Sequence, residues 1–443
     1  MRVSIIGAGY VGLVSAVGLA EVGHDVLCVD RDKSKIDLIN EGKSPIYEEG
    51  LAELLAANIG KRLRAITSIA EAVNKTDLTI IAVDTPFDGE RIVLRSIEDV
   101  AREIGRALAE KDSYHTVVVK STVVPGTTDS FVLPILEEAS GKLAGEDFGL
   151  GMNPEFLREG QAIADFLNPD RIVLGGIDRR SHDVMSDLYE PFTGVELLRT
   201  TTRTAEMVKY TANSLLATLI SFSNEIANLA ARVGVDAMEV MRGVHLDKRF
   251  TPIDGDGSRV WPGAISYLEP GCGFGGSCFP KDVKSLIAFG EEHDSPMRIL
   301  QSVMDVNEAQ PAKMLDLLGR HFPDLDGVAV TVLGMAFKPG TDDIRESPSL
   351  EVTEQLLARG AVVTVYDPVA HHGVVKVFGD RVTHGEDLES TLEGAQAILL
   401  MTRWSDFERI PELLKTRPQQ PVVVDGRRLL AKDSVAIYQG IGL

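Results

Sequence analysis

The first thirty residues constrain the fold more than any other part of the chain. A short, mostly apolar run over 3–6 leads into Gly7-Ala8-Gly9-Tyr10-Val11-Gly12. A helical pattern continues to about Glu21, Gly23 stops it, and a second strand-like run over 25–29 closes at Asp30. Strand, glycine turn, helix, strand and terminal acid, in that order, build the first βαβ unit of a dinucleotide-binding sheet. Gly7 permits the tight turn, Gly9 lets backbone approach a pyrophosphate, and Gly12 lets helix lie close on strand. The helix N-terminus, at Tyr10 and Val11, offers amide donors and the positive end of its dipole to that pyrophosphate. Asp30 stands where a carboxylate accepts hydrogen bonds from the adenosine ribose. It would repel a 2′-phosphate, so the expected cofactor is NAD.

Further strands are predicted over 78–83, 116–119, 149–152 and 171–174. Three turns, Asp84-Thr85-Pro86, Lys120-Ser121-Thr122 and Asn153-Pro154-Glu155, follow strands and are candidates for lining one cleft, because ligands of open parallel sheets sit beyond the carboxyl ends of strands. Ordinary capped βα turns read the same way. A long helical pattern over 204–233 carries apolar residues on more than one face, which suits burial between domains or at a subunit contact. Helices are expected over 237–245, 282–292 and 297–321, with Pro311 kinking or splitting the last. The Gly- and Pro-rich 251–276 is expected to be loop. At Gly327 the pattern restarts with a strand over 328–333, a helix over 349–359, a strand over 362–366 and Asp367 at its end, without a GxGxxG. The expected architecture is α/β: two Rossmann-like open-sheet domains joined by a long central helix and a helical dimerisation region. The expected boundaries are 1–200, 201–326 and 327–443.

Composition narrows the partners. The chain has 443 residues, 44% hydrophobic and 25% charged, with a formal net charge of −21. An acidic balance of that size argues against nucleic acid or a membrane surface as partner. Any anionic ligand must then be held by a local basic pocket. Three cysteines, Cys28, Cys272 and Cys278, make no disulfide scaffold, and no set of Cys and His has zinc-ligand spacing. Cys28 reads as core; a Cys272–Cys278 disulfide runs against a reducing compartment. The N-terminus leads straight into a strand, and no apolar run reaches the ~20 residues of a membrane span. The expected location is the cytoplasm, with no metal.

The chemistry is concentrated elsewhere. Gly275-Gly276-Ser277-Cys278-Phe279-Pro280-Lys281-Asp282 sets a thiol behind two glycines, with a cation and a carboxylate three and four residues on. Small residues let a substrate approach the sulfur, and a nearby cation or helix N-terminus favours the thiolate. A buried, inert cysteine in a glycine-rich turn fits these residues equally. Lys209 and Asn213, four apart on the long helix, share one face. They form either a solvated stripe or a cation and an amide aimed at a developing oxyanion. Glu155 and Glu159, also four apart, suit a helix start or a carboxylate that orients or deprotonates water. Asp282 can serve as base or orienter. Lys338, Arg345, Arg427 and Arg428 are loop cations suited to a diphosphate.

Six ordered motifs occur together: the glycine turn at 7–12, Lys120-Ser121-Thr122, Asn153-Pro154-Glu155-Phe156-Leu157-Arg158-Glu159-Gly160, Lys209-Tyr210-Thr211-Ala212-Asn213, Gly273-Phe274-Gly275-Gly276-Ser277-Cys278, and Ala336-Phe337-Lys338 with Arg345-Glu346-Ser347. In this combination the chain resembles the UDP-glucose/GDP-mannose dehydrogenases over nearly its whole length. The resemblance implies an N-terminal NAD domain, a helical dimerisation region and a C-terminal domain that grips a nucleotide-sugar. It also implies two successive oxidations of the sugar's C6 alcohol, giving a carboxylate and two NADH. By position in the motifs, Cys278 is the nucleophile and Lys209, Asn213 and Asp282 assist it. Glu155, Glu159 and Thr122 belong to thioester hydrolysis. Cofactor contacts fall on Gly7, Gly9, Tyr10, Val11, Gly12, Asp30, Lys35, Thr85, Thr122, Glu159 and Arg345. Substrate contacts fall on Glu155, Phe156, Leu157, Arg158, Glu159, Lys209, Asn213, Arg249, Tyr267, Gly271, Phe274, Gly275, Lys338 and Arg427, with Arg249 reaching the partner's active site in a homodimer.

Two departures stand out: 250–263 looks long for the pattern, and Glu269 falls where some members carry a basic or amide residue. Asn168-Pro169-Asp170-Arg171-Ile172-Val173 and Asp425-Gly426-Arg427 resemble the UDP-glucose branch more than the GDP-mannose branch. The serine before Cys278 differs from the histidine of UDP-N-acetylmannosamine relatives. UDP-glucose is therefore the expected substrate, with GDP-mannose and UDP-N-acetylmannosamine as alternatives. A two-electron β-hydroxyacid dehydrogenase needs neither the cysteine nor the second α/β domain. A non-catalytic nucleotide-binding module needs none of Cys278, Lys209, Asn213 and Asp282.

Overall fold

A computed structural model describes residues Met1–Leu443. The chain divides into two compact units, Met1–Ala212 and Asn213–Leu443. The long helix Thr202–Val233 is continuous across the division.

The first unit is built on an eight-stranded sheet of β1 (Arg2–Ile6), β2 (Asp25–Val29), β3 (Leu63–Ile66), β4 (Leu78–Ile81), β5 (His115–Val119), β6 (Phe148–Met152), β7 (Arg171–Gly176) and β8 (Glu196–Thr200). Their order is β3-β2-β1-β4-β5-β6-β7-β8. All neighbours run parallel except β6 and β7. β4, β5 and β6 are buried along their whole length, as central strands covered on both faces must be. Their apolar runs were legible in the sequence. β3 and β8 were not: Arg64, Glu196 and Arg199 put charge on short strands far from the buried centre.

The helix Tyr10–Glu21 is buried from Gly12 to Ala20, because its apolar residues run all the way round. The turn before it closes over the point where strand order reverses, between β1 and β4. Gly7 has φ +106°, and a Cβ there would stand 2.4 Å from the Ala82 carbonyl oxygen. A Cβ on Gly12 would stand 1.8 Å from the Gly7 carbonyl oxygen.

The second unit carries a six-stranded, all-parallel sheet of β9 (Ala329–Leu333), β10 (Val362–Tyr366), β11 (Thr383–His384), β12 (Ala397–Leu400), β13 (Val422–Asp425) and β14 (Tyr438–Gly440). Its order, β11-β10-β9-β12-β13-β14, repeats the pattern of the first sheet. Two local expectations need correction. Pro311 does not split its helix, which runs unbroken over Arg298–Gly319. Buried residues on both sides of it, Val303, Met304 and Asn307 before and Met314, Leu315 and Leu318 after, hold it in one piece. The stretch 251–276 is not wholly loop, since Gly263–Leu268 winds into a 3-10 turn.

Gly7→Ala should destabilise the first unit by about 1–3 kcal/mol, the combined effect of left-handed backbone strain and collision with Ala82. The shift in urea midpoint measures it, and NAD affinity should fall with it.

Candidate active site

The first unit presents a cradle whose geometry fits a dinucleotide. No side chain caps the helix Tyr10–Glu21, and a Cβ on Gly9 would meet nothing within 4 Å. The uncapped end is therefore open to a pyrophosphate. Asp30 closes β2 with its carboxylate fixed by two amides: Ala8 N–H donates to Oδ2 at 2.8 Å and Asp32 N–H to Oδ1 at 2.9 Å. A carboxylate has about four acceptor sites, so capacity for ribose hydroxyls remains. Lys35 lies on the next helix, Lys33–Asn40. The Thr85 hydroxyl donates to the Thr122 carbonyl at 2.8 Å, and the Ser121 hydroxyl to the Val83 carbonyl at 2.7 Å, so the turns after β4 and β5 are tied together.

A buried ionic cluster lies at the ends of β5 and β6. The Lys209 ammonium donates to Glu155 Oε1 at 2.7 Å, with both side chains almost fully buried. Leu157 N–H donates to Glu155 Oε2 at 2.7 Å. Burial pushes the Glu155 carboxyl upward, but the Lys209 charge and hydrogen bond, the Leu157 amide and the Lys120 charge together hold it below the usual carboxylate range. Phe156 lies between cations, with the Arg171 guanidinium 3.8 Å and the Lys209 ammonium 5.8 Å from its ring centroid. Arg158 pairs with Asp165 at 2.6 Å.

Sequence reasoning missed the two carboxylates that fasten this region. Glu48 is buried and accepts from Tyr10 Oη, from Gly160 N–H at 2.7 Å and from Ala162 N–H at 2.7 Å. It therefore ties the glycine turn to the loop that carries Glu159. Glu206, three residues before Lys209, accepts from Gly126 N–H at 2.6 Å and from Thr128 N–H and Oγ1 at 2.8 and 2.7 Å. It anchors the segment after Thr122 to the Lys209 helix. Nothing in the sequence marks either acid, because their partners, mostly backbone amides, lie in distant segments.

The second unit holds the thiol. Cys278 is half-buried and occupies the N-cap of the helix Phe279–Glu292, a position where the helix dipole favours negative charge on sulfur. One turn on, Asp282 is buried and accepts from the Asn213 amide at 2.6 Å and from Lys281 at 2.6 Å. Gly275 and Gly276 lie against the segment of Arg345. A Cβ on Gly275 would stand 2.0 Å from the Glu346 carbonyl oxygen, and Gly276 N–H donates to the Arg345 carbonyl at 2.9 Å. The Arg345 side chain itself pairs with Asp343 at 2.8 Å. Tyr267 and Phe274 both pack on Phe279, with ring centroids 6.2 and 6.0 Å away.

Three buried amides grip the loop leading to the thiol. Asn224 accepts from Gly271 N–H at 2.7 Å, and Gln310 donates to the Gly271 carbonyl at 2.8 Å. Asn307 takes both backbone groups of Phe274, at 2.8 and 3.0 Å. Their spacing on apolar helices gave no hint of this role. Arg427 donates from Nε to the Met401 carbonyl at 2.7 Å, and Lys338 lies 5.7 Å over the Phe337 ring. Glu269, the departure noted above, is paired with Arg403. Arg249 is exposed and chelates Asp247 of its own chain at 2.5 Å. Arg428, expected among the diphosphate cations, is instead fastened to Asp236 at 3.0 Å and to the Ile441 carbonyl at 3.0 Å. Burial and the fixed carboxylate favour that internal role.

The family models for the UDP-glucose/GDP-mannose dehydrogenases match in order: the NAD binding domain over 1–193, the central domain over 203–309 and the UDP binding domain over 331–432. The chain belongs to this family. It is a nucleotide-sugar dehydrogenase by family, and its first unit is an NAD-binding domain. It is 42% identical over 446 residues to the UDP-glucose 6-dehydrogenase AglM of Haloferax volcanii, covering 100% of both chains. It is 44% identical over 454 residues to the GDP-mannose 6-dehydrogenase of Azotobacter vinelandii, again covering 100% of both. A solved UDP-glucose dehydrogenase from Pyrobaculum islandicum matches with a TM-score of 0.89 at 41% identity, over 100% of this chain and 97% of that one. No helix is long and apolar enough to cross a membrane.

All three cysteines are free. Burial and the neighbouring Asp30 push the Cys28 thiol up to about 12. Burial likewise raises Cys272, against the pull of Arg427. Iodoacetamide should therefore alkylate Cys278 at least about tenfold faster than either other thiol, as peptide mass spectrometry over a time course would measure.

Proposed function

We propose that the chain is an NAD-dependent UDP-glucose 6-dehydrogenase that makes UDP-glucuronate through a thioester on Cys278. The observation that carries this reading is the half-buried thiol at a helix N-cap, with an Asn213–Asp282 hydrogen bond one turn on. UDP-glucose is preferred over GDP-mannose on the motifs at 168–173 and 425–427. The structural similarity to a UDP-glucose dehydrogenase agrees with that preference, while a GDP-mannose 6-dehydrogenase is equally similar in sequence. The three-part organisation 1–200, 201–326 and 327–443 is part of the proposal and is supported by the order of the family models.

NAD, when bound, accepts a hydride from the sugar's C6, once in each oxidation. The first oxidation, with the hydroxyl proton passing to solvent water, leaves an aldehyde, which has no easily lost hydride as a free carbonyl. Cys278 sulfur adds to it, and the carbonyl π pair moves to oxygen. The resulting thiohemiacetal can lose hydride. Lys209 and Asn213 stabilise the oxyanion, with Asp282 holding the Asn213 amide in place. The product is a Cys278 thioester. Glu155, assisted by Glu159 and Thr122, takes a proton from water as it attacks that carbonyl, and the thiolate leaves from a carboxylate. The Lys209 bond to Glu155 supports giving these two residues neighbouring roles in the reaction.

The reading includes a cytoplasmic homodimer in which Arg249 reaches the partner's substrate. Leu215, Phe222 and Leu229, spaced by seven on the long helix and about half exposed or more, with Val233 beyond them, supply an apolar stripe for it.

Two NADH should form per UDP-glucose consumed, counted by absorbance against carboxylate yield; a ratio of one overturns the four-electron reaction. Cys278→Ser should lower carboxylate production at least about a thousandfold, while NAD affinity stays unchanged by titration. In one NADH assay, kcat/KM should be highest for UDP-glucose among UDP-glucose, GDP-mannose and UDP-N-acetylmannosamine. A preference for either rival reassigns the substrate and leaves the mechanism intact.

A further inference from the structure

Lys120 has no part in the reaction as described, yet its ammonium is buried at the end of β5, where open sheets place their ligands. Its side-chain partner is a neutral amide, the Asn153 Oδ1 at 3.0 Å. The orientation of that amide is fixed by its surroundings. Asn153 Nδ2 donates to the Val173 carbonyl at 3.0 Å, and the Tyr189 hydroxyl donates to the same Oδ1, so Asn153 can turn only its oxygen toward Lys120. Two buried ammoniums, Lys209 and Lys120, thus act on the buried Glu155 carboxylate. The second ammonium is costly to bury, and the Glu155–Lys209 bond forms without it.

The proposed chemistry supplies a use for that second ammonium. In the substrate-free chain the Lys209 ammonium is committed to Glu155. Once an alkoxide develops on the sugar carbon, Lys209 must share its charge with it, and Glu155 is left a buried carboxylate with a weakened partner. A buried carboxylate in that position takes up a proton and loses its power as a base. We propose that Lys120 is a positioning residue for thioester hydrolysis: its ammonium, held by Asn153, is the standing counter-charge that keeps Glu155 ionised while Lys209 serves the oxyanion. This rests on the reading of Glu155 as the water-activating carboxylate.

The charged and titratable groups facing Lys120 are Glu155, which favours its ammonium form, and Lys209, which opposes it, with the Tyr189 phenol across Asn153. Burial is the largest influence and lowers the Lys120 ammonium to about 8. It is therefore charged at neutral pH.

The test has a solution readout and a kinetic one. In the cofactor-free wild-type protein, the ¹³C carboxyl resonance of Glu155 should shift as Lys120 loses its proton, an event that burial brings down to about pH 8; a resonance that stays flat throughout the Lys120 titration overturns the proposal without any variant. Lys120→Met should move the Glu155 midpoint to higher pH. Its steady-state turnover should slow on the order of tenfold to a hundredfold, with the acid limb of the pH profile shifted upward. The first NADH formed per site should keep its rate, and acyl-enzyme on Cys278 should accumulate by mass spectrometry. Lys120→Arg should restore the acid limb. An unmoved midpoint and acid limb in Lys120→Met overturn the proposal. If Glu155→Gln turns over without accumulating acyl-enzyme, the reading of Glu155 fails instead, whatever Lys120 does to its titration.

Discussion

The buried bond between Lys209 and Glu155 is the interaction on which the proposed chemistry of the first unit depends. Burial disfavours an unpaired charge on either group. Removing one partner of a buried pair typically costs about 3–5 kcal/mol, because the other is stranded. Hydrogen bonds to backbone amides help to hold the pair and its neighbouring segments in register. Leu157 N–H closes one carboxylate oxygen of Glu155. Glu206, one turn before Lys209, binds the helix to the segment that follows Thr122. Glu48 binds the loop of Glu159 to the glycine turn. The segments around the buried pair are thus fastened by carboxylates whose partners lie far along the chain.

The two sheets repeat one strand order and use their terminal acids in opposite ways. Asp30 accepts two amides and keeps capacity for a ribose. Asp367, at the same place in the second sheet, is buried and accepts from Met335, Ala336, Val369 and Ala370 amides and from the Trp404 indole. Five donors saturate it. The second sheet therefore keeps the topology of a dinucleotide unit while its acid is consumed by its own loop. This agrees with the missing glycine fingerprint and with a ligand held by loop cations instead.

Topology was legible because parallel strands buried on both faces read as apolar runs, and because glycine turns announce themselves. Gly7 and Gly12 could be assigned roles from spacing alone, and the structure supplies the contacts that enforce them. Asn213 and Asp282 could be named but not joined, since sixty-nine residues separate them. Glu48, Glu206, Asn224, Asn307 and Gln310 were invisible for a common reason. Each satisfies backbone groups far along the chain, and such partners leave no period or motif in sequence. Lys120 was read only as part of a turn, because burial, which turns an ordinary lysine into a costly charge, is a property of the fold.

Net charge poses the remaining physical question, since an acidic protein is proposed to hold a diphosphate. At physiological ionic strength charges are screened beyond about 8 Å, so cations in the loop decide the matter and the overall −21 does not. What counts is whether a loop cation is already neutralised. Arg428 is paired with Asp236, Arg345 with Asp343, and Arg403 with Glu269. Arg427 differs: its Nε donates to a neutral carbonyl of Met401, and its own carbonyl accepts two bonds from Arg403. Its side chain is held by a neutral group while its backbone is fixed by Arg403 and by the Asp425 carboxylate. A guanidinium fixed in direction loses little freedom when an anion arrives, which supports the proposed contact of Arg427 with a diphosphate.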